Sequence, residues 1–266
     1  MSATERRIAG LHVELHGPEG AEAILLSAGL GGAAGFWQPQ LAALAERHRV
    51  ILYDQRGTGR SPGPLPEPYS IGAMAEDVLA ILDGLGLARC HLLGHALGGL
   101  VGLELALRAP HRLGRLALVN AWAGPDPHTQ RCFEVRLELL RHGGPAAYTR
   151  AQPVFLYPAA WLSRHAERAE REVEHGIRHF QGEDTLLRRI GALRAFDAQD
   201  RLGQVALPVL CLAARDDVLV PWTCSEALAA GLPDARAVVL PEGGHACTAT
   251  EPAACNAAIL AFLAGG

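Results

Sequence analysis

One histidine, one aspartate and an absent oxygen set the chemistry available to this chain. Residues 92–101 read Leu-Leu-Gly-His-Ala-Leu-Gly-Gly-Leu-Val, with an apolar run over 90–93 before them and a helical run over 97–108 after. A strand, a tight glycine-flanked turn and a helix are the setting of a nucleophile elbow, written Gly-x-Ser-x-Gly. Here the frame is Gly94-x-Ala96-x-Gly98. The glycines stand where a tight turn leaves no space for a Cβ. Alanine carries no atom that attacks a carbonyl, so the frame for covalent catalysis is present and its nucleophile is missing.

Two later loops supply the other groups. The run 208–213 opens onto Ala214-Arg215-Asp216-Asp217, and the run 236–240 opens onto Pro241-Glu242-Gly243-Gly244-His245. A carboxylate bonded to an imidazole fixes its tautomer and leaves the second ring nitrogen free as a general base. Asp217, four residues before Pro221, is the expected partner of His245, and Asp216 is expected behind the site or at the surface. His95 is expected to pack beside the vacant position. Ser27 and Cys247 are the alternative nucleophiles: Ser27 ends a strand and is expected to cap the next loop, and Cys247 is expected to point elsewhere.

The strand over 23–27 runs into a loop with glycines at 29, 31, 32 and 35. Such a loop lets backbone N–H groups converge on an anion. The N–H groups of Leu30 and Leu97, with Gly29 leaving room, are expected to hold a carboxylate or a developing negative charge. Arg188 and Arg189, then Arg56, are the expected side-chain partners of a small anion, and Trp122 is the expected aromatic in the pocket.

Composition narrows the classes. The 266 residues are 49% hydrophobic and 20% charged, enough apolar material for a sizeable core. A net charge of −4 without a basic patch argues against nucleic acid as partner. All 24 basic residues are arginine, which excludes a Schiff-base lysine and pyridoxal phosphate held by one. No His/Cys/Asp group has metal-ligand spacing, so neither metal nor cofactor is expected. The six cysteines are scattered, and no signal segment or spanning run is evident. Reduced thiols and a cytoplasmic location away from membranes are expected.

These groups need a scaffold. Strand signals, among them 23–27, 49–54, 90–93 and 115–120, alternate with helical runs over 39–47, 70–85 and 97–108. Continuous apolar strands imply a parallel sheet covered on both faces. The alternation stops over 121–204, where helical runs fall at 131–142, 145–152, 161–179 and 184–195, and then resumes. The expected fold is α/β, a mostly parallel sheet flanked by helices. Its core spans 1–120 and 205–266, with a helical lid over 121–204 inserted after the sixth strand. In open sheets of this kind ligands bind at the carboxyl ends of the strands, where all three loops lie.

Elbow, acid and histidine in that chain order resemble the α/β-hydrolase fold family. The resemblance rests on GLGG (29–32), GHALG (94–98), DVLVP (217–221) and GGH (243–245). It extends through YDQRGTG (53–59), HTQRCF (128–133), AQPVFLYPAAW (151–161), HFQG (179–182) and LLRR (186–189) to a branch of the family attached to bacterial uracil degradation. That branch implies a small-molecule substrate: 3-aminoacrylate hydrolysed to malonic semialdehyde and ammonia, or carbamate to carbon dioxide and ammonia. Alanine at the elbow fits such chemistry, because water added to a C=N bond needs no acyl-enzyme. The resemblance also leaves two rivals. One is a silent binding module on an esterase fold. The other is a cofactor-independent enzyme using the same dyad for proton abstraction or oxygen chemistry, marked by an aromatic-lined pocket for a flat compound. A symmetric homodimer is the expected assembly.

Overall fold

In the computed structural model, which describes residues 3–265, the strands are β1 (Thr4–Ile8), β2 (Leu11–His16), β3 (Ala23–Ser27), β4 (Arg49–Tyr53), β5 (Cys90–His95), β6 (Leu113–Val119), β7 (Val209–Ala214) and β8 (Ala235–Leu240). They form one sheet in the order β1-β2-β4-β3-β5-β6-β7-β8. β1 and β2 pair antiparallel, as do β2 and β4, and every other pairing is parallel. The α/β architecture expected from the pattern of strands and helices is the observed one. β1 was not among the expected strands. Its residues Thr4, Glu5, Arg6 and Arg7 are exposed, and an edge strand of this kind carries charge in place of an apolar face.

Strands β3, β5 and β7 are buried along their whole length, as expected where helices cover both faces. Alternate side chains serve the two layers. Leu25, Leu92, Leu116 and Cys211 pack in the layer of α2 (Ile71–Gly84) and α3 (Leu97–Arg108). Ile24, Leu26, Leu93 and Leu210 pack in the opposite layer, with Leu44 of α1 (Gln38–Ala45) and Ile259 from near the chain's end. Helix α2 starts where Ser70 Oγ accepts the N–H of Ala73 at 3.1 Å, a side-chain N-cap.

Between β6 and β7 the chain is helical: α4 (Pro127–Leu156), α5 (Ala159–Arg164), α6 (Ala166–Arg178) and α7 (Glu183–Ala195). α4 is broken at Gly144, whose φ is 74° and ψ −176°, which matches the expected separation of two runs near that point. The single helix expected over 161–179 is instead two. The His165 ring stacks on Trp161 at 4.2 Å and its Nδ1 donates to the Trp161 carbonyl at 2.9 Å, closing α5 before α6 starts. After β7 come α8 (Trp222–Gly231), α9 (Cys247–Thr250) and α10 (Pro252–Leu263).

Register brings the functional loops together. Ser27 lies opposite Gly94, His95 opposite Val119, and Ala214 opposite Leu240. The carboxyl ends of β3, β5, β6, β7 and β8 therefore share one rim of the sheet.

Candidate active site

The elbow is built although its nucleophile is absent. Ala96 joins β5 to α3 with φ 47° and ψ −114°, a conformation an L-residue holds only under strain of order 1–3 kcal/mol. Its N–H donates to the Val119 carbonyl at 2.9 Å. The flanking glycines permit close packing. A Cβ on Gly94 would meet the Gly98 carbonyl oxygen at 2.3 Å, and one on Gly98 would meet the Ser27 carbonyl oxygen at 2.0 Å.

His245 and Asp217 meet. His245 Nδ1 lies 2.8 Å from Asp217 Oδ2, with the imidazole 4% and the carboxylate 0% exposed. Asp217 Oδ1 accepts the N–H groups of Leu219 at 2.8 Å and Val220 at 2.9 Å. The carboxylate takes three donors, so His245 presents Nδ1–H to it and leaves Nε2 bare. The loop that carries His245 is fastened from behind. Asp216 Oδ1 accepts the Gly244 N–H at 2.8 Å. Asn120 Nδ2 donates to the carbonyls of His245 at 2.8 Å and Gly244 at 3.2 Å.

His95 supports the same loop. Its Nε2 lies 2.8 Å from the His245 carbonyl, and a carbonyl only accepts, so Nε2 carries the proton. Nδ1 is buried without a partner against Gly29, where a Cβ would approach it to 2.9 Å. Burial, then the neighbouring His245, hold the His95 ring down to about 3. An unfolded histidine takes up its proton near 6.5. The folded chain refuses that proton, so stability falls as pH drops from about 6.5 toward 3, by up to ~1.4 kcal/mol per pH unit from this ring. Denaturant unfolding at pH 6.0, 5.0 and 4.5 is expected to show a shallower decline in His95→Asn than in the natural protein.

The vacant position opens into a cavity of 890 Å³ lined by Gly29, Leu30, Ala96, Leu97, Trp122 and His245, among others. Backbone N–H groups of Leu30 and Leu97 find no acceptor within the chain among the described residues, which leaves both available to an oxyanion. The lining also includes Phe133, Arg136 and Tyr148 of α4 and Val173 of α6. A separate 70 Å³ hollow at Arg6, His16 and Arg49 holds none of these groups.

The expected arginine ligands are placed elsewhere. Arg188 is bonded to the carbonyls of Leu65 and Pro66 and paired with Glu67, so it fastens the 65–67 segment and does not line the cavity. Arg189 is fully buried, and all three of its nitrogens are used, on the Leu30 carbonyl, the Tyr69 hydroxyl and Gln55 Oε1. It holds the glycine loop from beneath. Arg56 is spent on Asp77. Asp54 steadies the loop from the side, accepting the Ala34 N–H at 2.7 Å and bonding Arg60. Burial works to raise its carboxyl, and the Arg60 guanidinium with the two N–H donors outweighs that, so the group sits below the usual range.

Neither alternative nucleophile faces the cavity. Ser27 is fully buried, bonded to Tyr53 at 2.9 Å and Gln55 at 3.3 Å. Cys247 is sealed beside Asn120, and neighbouring Cys255 together with burial keep its thiol protonated. Arg136 and Asn120 were not singled out beforehand. Arg136 stands three residues after Phe133 and four before Leu140, on the buried face of α4. Asn120 is the buried polar residue that directly follows β6.

A parallel sheet with a strained elbow after β5, an acid after β7 and a histidine after β8 defines a class, and the chain belongs to the α/β-hydrolase fold family, which matches residues 22–252. It is 59% identical over 96% of its length to a protein of Variovorax paradoxus, 96% of which is covered, and 52% identical over 95% of its length to one of Agrobacterium fabrum, 98% of which is covered. Each of those proteins is named "Putative carbamate hydrolase RutD". Among solved structures, the enol-lactonase of Burkholderia xenovorans superposes with a TM-score of 0.88 at 27% identity, covering 98% of this chain and 100% of that one. A hydrolase of Pseudomonas aeruginosa gives 0.87 at 31%, covering 98% of both. No helix of the described residues is long and apolar enough to cross a membrane.

Proposed function

We propose that the chain hydrolyses a small C–N compound in pyrimidine nitrogen catabolism, 3-aminoacrylate to malonic semialdehyde and ammonia, with carbamate as the second candidate. The observation that carries this reading is the 2.8 Å His245–Asp217 contact beside an elbow that offers a methyl group in place of a hydroxyl. The name those relatives carry, "Putative carbamate hydrolase RutD", supports the same bond class.

In this reading the helices over 121–204 act as the lid, and water stands above Ala96. The enamine enters as its imine tautomer. His245 Nε2 takes a proton from water as the oxygen bonds to C3, and the resulting imidazolium is stabilised by Asp217. The imidazolium returns that proton to the imine nitrogen, giving a carbinolamine. Nε2 then takes the proton of the new hydroxyl and passes it to the amino group as the C–N bond breaks, and ammonia and the aldehyde leave. The N–H groups of Leu30 and Leu97 hold the negative charge that develops on the added oxygen. General base work of this kind contributes roughly 10²–10⁴-fold.

The test is enamine generated in place by uracil ring opening, with ammonia release followed against buffer alone. Clearance faster than buffer supports the reading, and the buffer rate overturns it. Ala96→Ser is expected to keep turnover within a few-fold, because no covalent step uses that position. Loss of the reaction in this variant would mean that the methyl group itself shapes the water site.

One observation favours a different use of the dyad. The 890 Å³ cavity is of the size that accommodates drug-like ligands, and aromatic side chains are part of its lining. Proton abstraction from a larger flat substrate by His245 is the second reading. Tight binding of a heteroaromatic bicycle, with no enamine clearance, would select it.

A further inference from the structure

Arg136 is 3% exposed and lies within α4, on the wall of the same cavity as Ala96 and His245. It pairs with no carboxylate among the described residues. Its Nη2 donates to the Tyr148 hydroxyl at 2.6 Å and to Gln152 Oε1 at 2.9 Å. Its Nε is buried without an acceptor. Three aromatic rings surround the guanidinium, Phe133 at 4.9 Å, Tyr148 at 5.1 Å and Phe155 at 5.6 Å. Ring faces compensate part of the lost hydration, but a buried cation lacking a counter-ion is destabilising. Arg189, the other fully enclosed arginine of this region, differs because every nitrogen is matched to a protein oxygen.

We propose that Arg136, with the Tyr148 hydroxyl beside it, is a carboxylate-binding subsite of the cavity, one that takes a small monocarboxylate whose reacting carbon lies apart from its carboxylate. The ligand supplies the counter-ion that the fold withholds. Nη1, which has no acceptor among the described residues, is left to donate to one carboxylate oxygen, and the Tyr148 hydroxyl, which accepts from Nη2, keeps its own proton to donate to the other. The inference rests on the cavity being the reaction site. It selects within the proposed function: 3-aminoacrylate has such a separate carboxylate, and carbamate does not.

The experiment uses binding, so it needs no turnover. Propanoate and its uncharged isostere propanamide are titrated into the purified protein, followed by calorimetry and by tryptophan fluorescence, since Trp122 lines the cavity. Propanoate is expected to bind at least about ten-fold more tightly, the scale of one charge-assisted pair. Arg136→Met is expected to bring the ratio near one while the thermal midpoint holds or rises, since an unpaired buried charge has been removed. Tyr148→Phe keeps the charge and is expected to lower the ratio a few-fold. Equal binding of acid and amide by the natural protein overturns the subsite, as does an unchanged preference in Arg136→Met. Should Arg136→Met not fold, an undiminished preference in Tyr148→Phe overturns it and a diminished one supports it. A strong propanoate preference in a protein that does not clear the enamine sinks the proposed reaction and leaves the subsite standing.

Discussion

His245→Ala is expected to bring ammonia release from the enamine down to the rate in buffer, and Asp217→Asn is expected to do nearly the same with the fold intact. The first follows from removing the base that the dyad presents beside the vacant elbow, a loss of about 10²–10⁴-fold. The second follows from the hydrogen bonds of Asp217. Its Oδ1 already accepts two N–H groups, from Leu219 and Val220. An asparagine must therefore turn its amide oxygen to those donors and its NH₂ to His245. The imidazole then becomes an acceptor at Nδ1 and carries its proton on Nε2, the nitrogen needed for water. A base in the wrong tautomer is no base. Background-subtracted ammonia assays on both variants, with circular dichroism to show folding, check this. Full turnover in Asp217→Asn would mean that His245 does not act through Nε2.

That pair was readable in the chain because it depends on topology alone. In a parallel sheet the loops after β5, β7 and β8 share one rim, whatever the intervening sequence does. Glycines at 94 and 98 mark a turn whose geometry excludes a Cβ, and helix α3 follows at the expected residues, Leu97–Arg108. The edge strand β1 gave no apolar signal, since its first four side chains, Thr4 to Arg7, are exposed. The arginine ligands were misplaced for a different reason. Sequence shows that Arg188 and Arg189 adjoin, and α7 sends one to the 65–67 segment and the other beneath the glycine loop. The informative arginine was the one within an apolar stripe, Arg136 between Phe133 and Leu140, where helical spacing puts a charge on the buried side. Asn120 is of the same kind. A polar residue closing a buried strand at the carboxyl rim is placed to reach a neighbouring loop, and it holds the His245 carbonyl at 2.8 Å.

Gly98→Ala is expected to be the most damaging single methyl in the molecule, lowering stability by about 3 kcal/mol or more and the thermal midpoint by roughly 6–12 °C. The added Cβ would lie 2.0 Å from the Ser27 carbonyl oxygen and 2.6 Å from that of Ala28. Both are backbone atoms at the end of a strand paired on both sides, so neither yields as a flexible side chain would. Relief has to come from α3 lifting off β3, which would also move the Leu97 N–H away from the glycine loop and relax the strained turn at Ala96. Gly31→Ala is the matched control. A Cβ there meets nothing within 4 Å, and its midpoint is expected to stay within about 1 °C, the effect of a few tenths of a kcal/mol at an open site. Paired thermal melts decide the matter. A Gly98→Ala protein as stable as Gly31→Ala would show that the elbow does not depend on the close seating of α3 against β3, and the geometry invoked for the water site above Ala96 would lose its support.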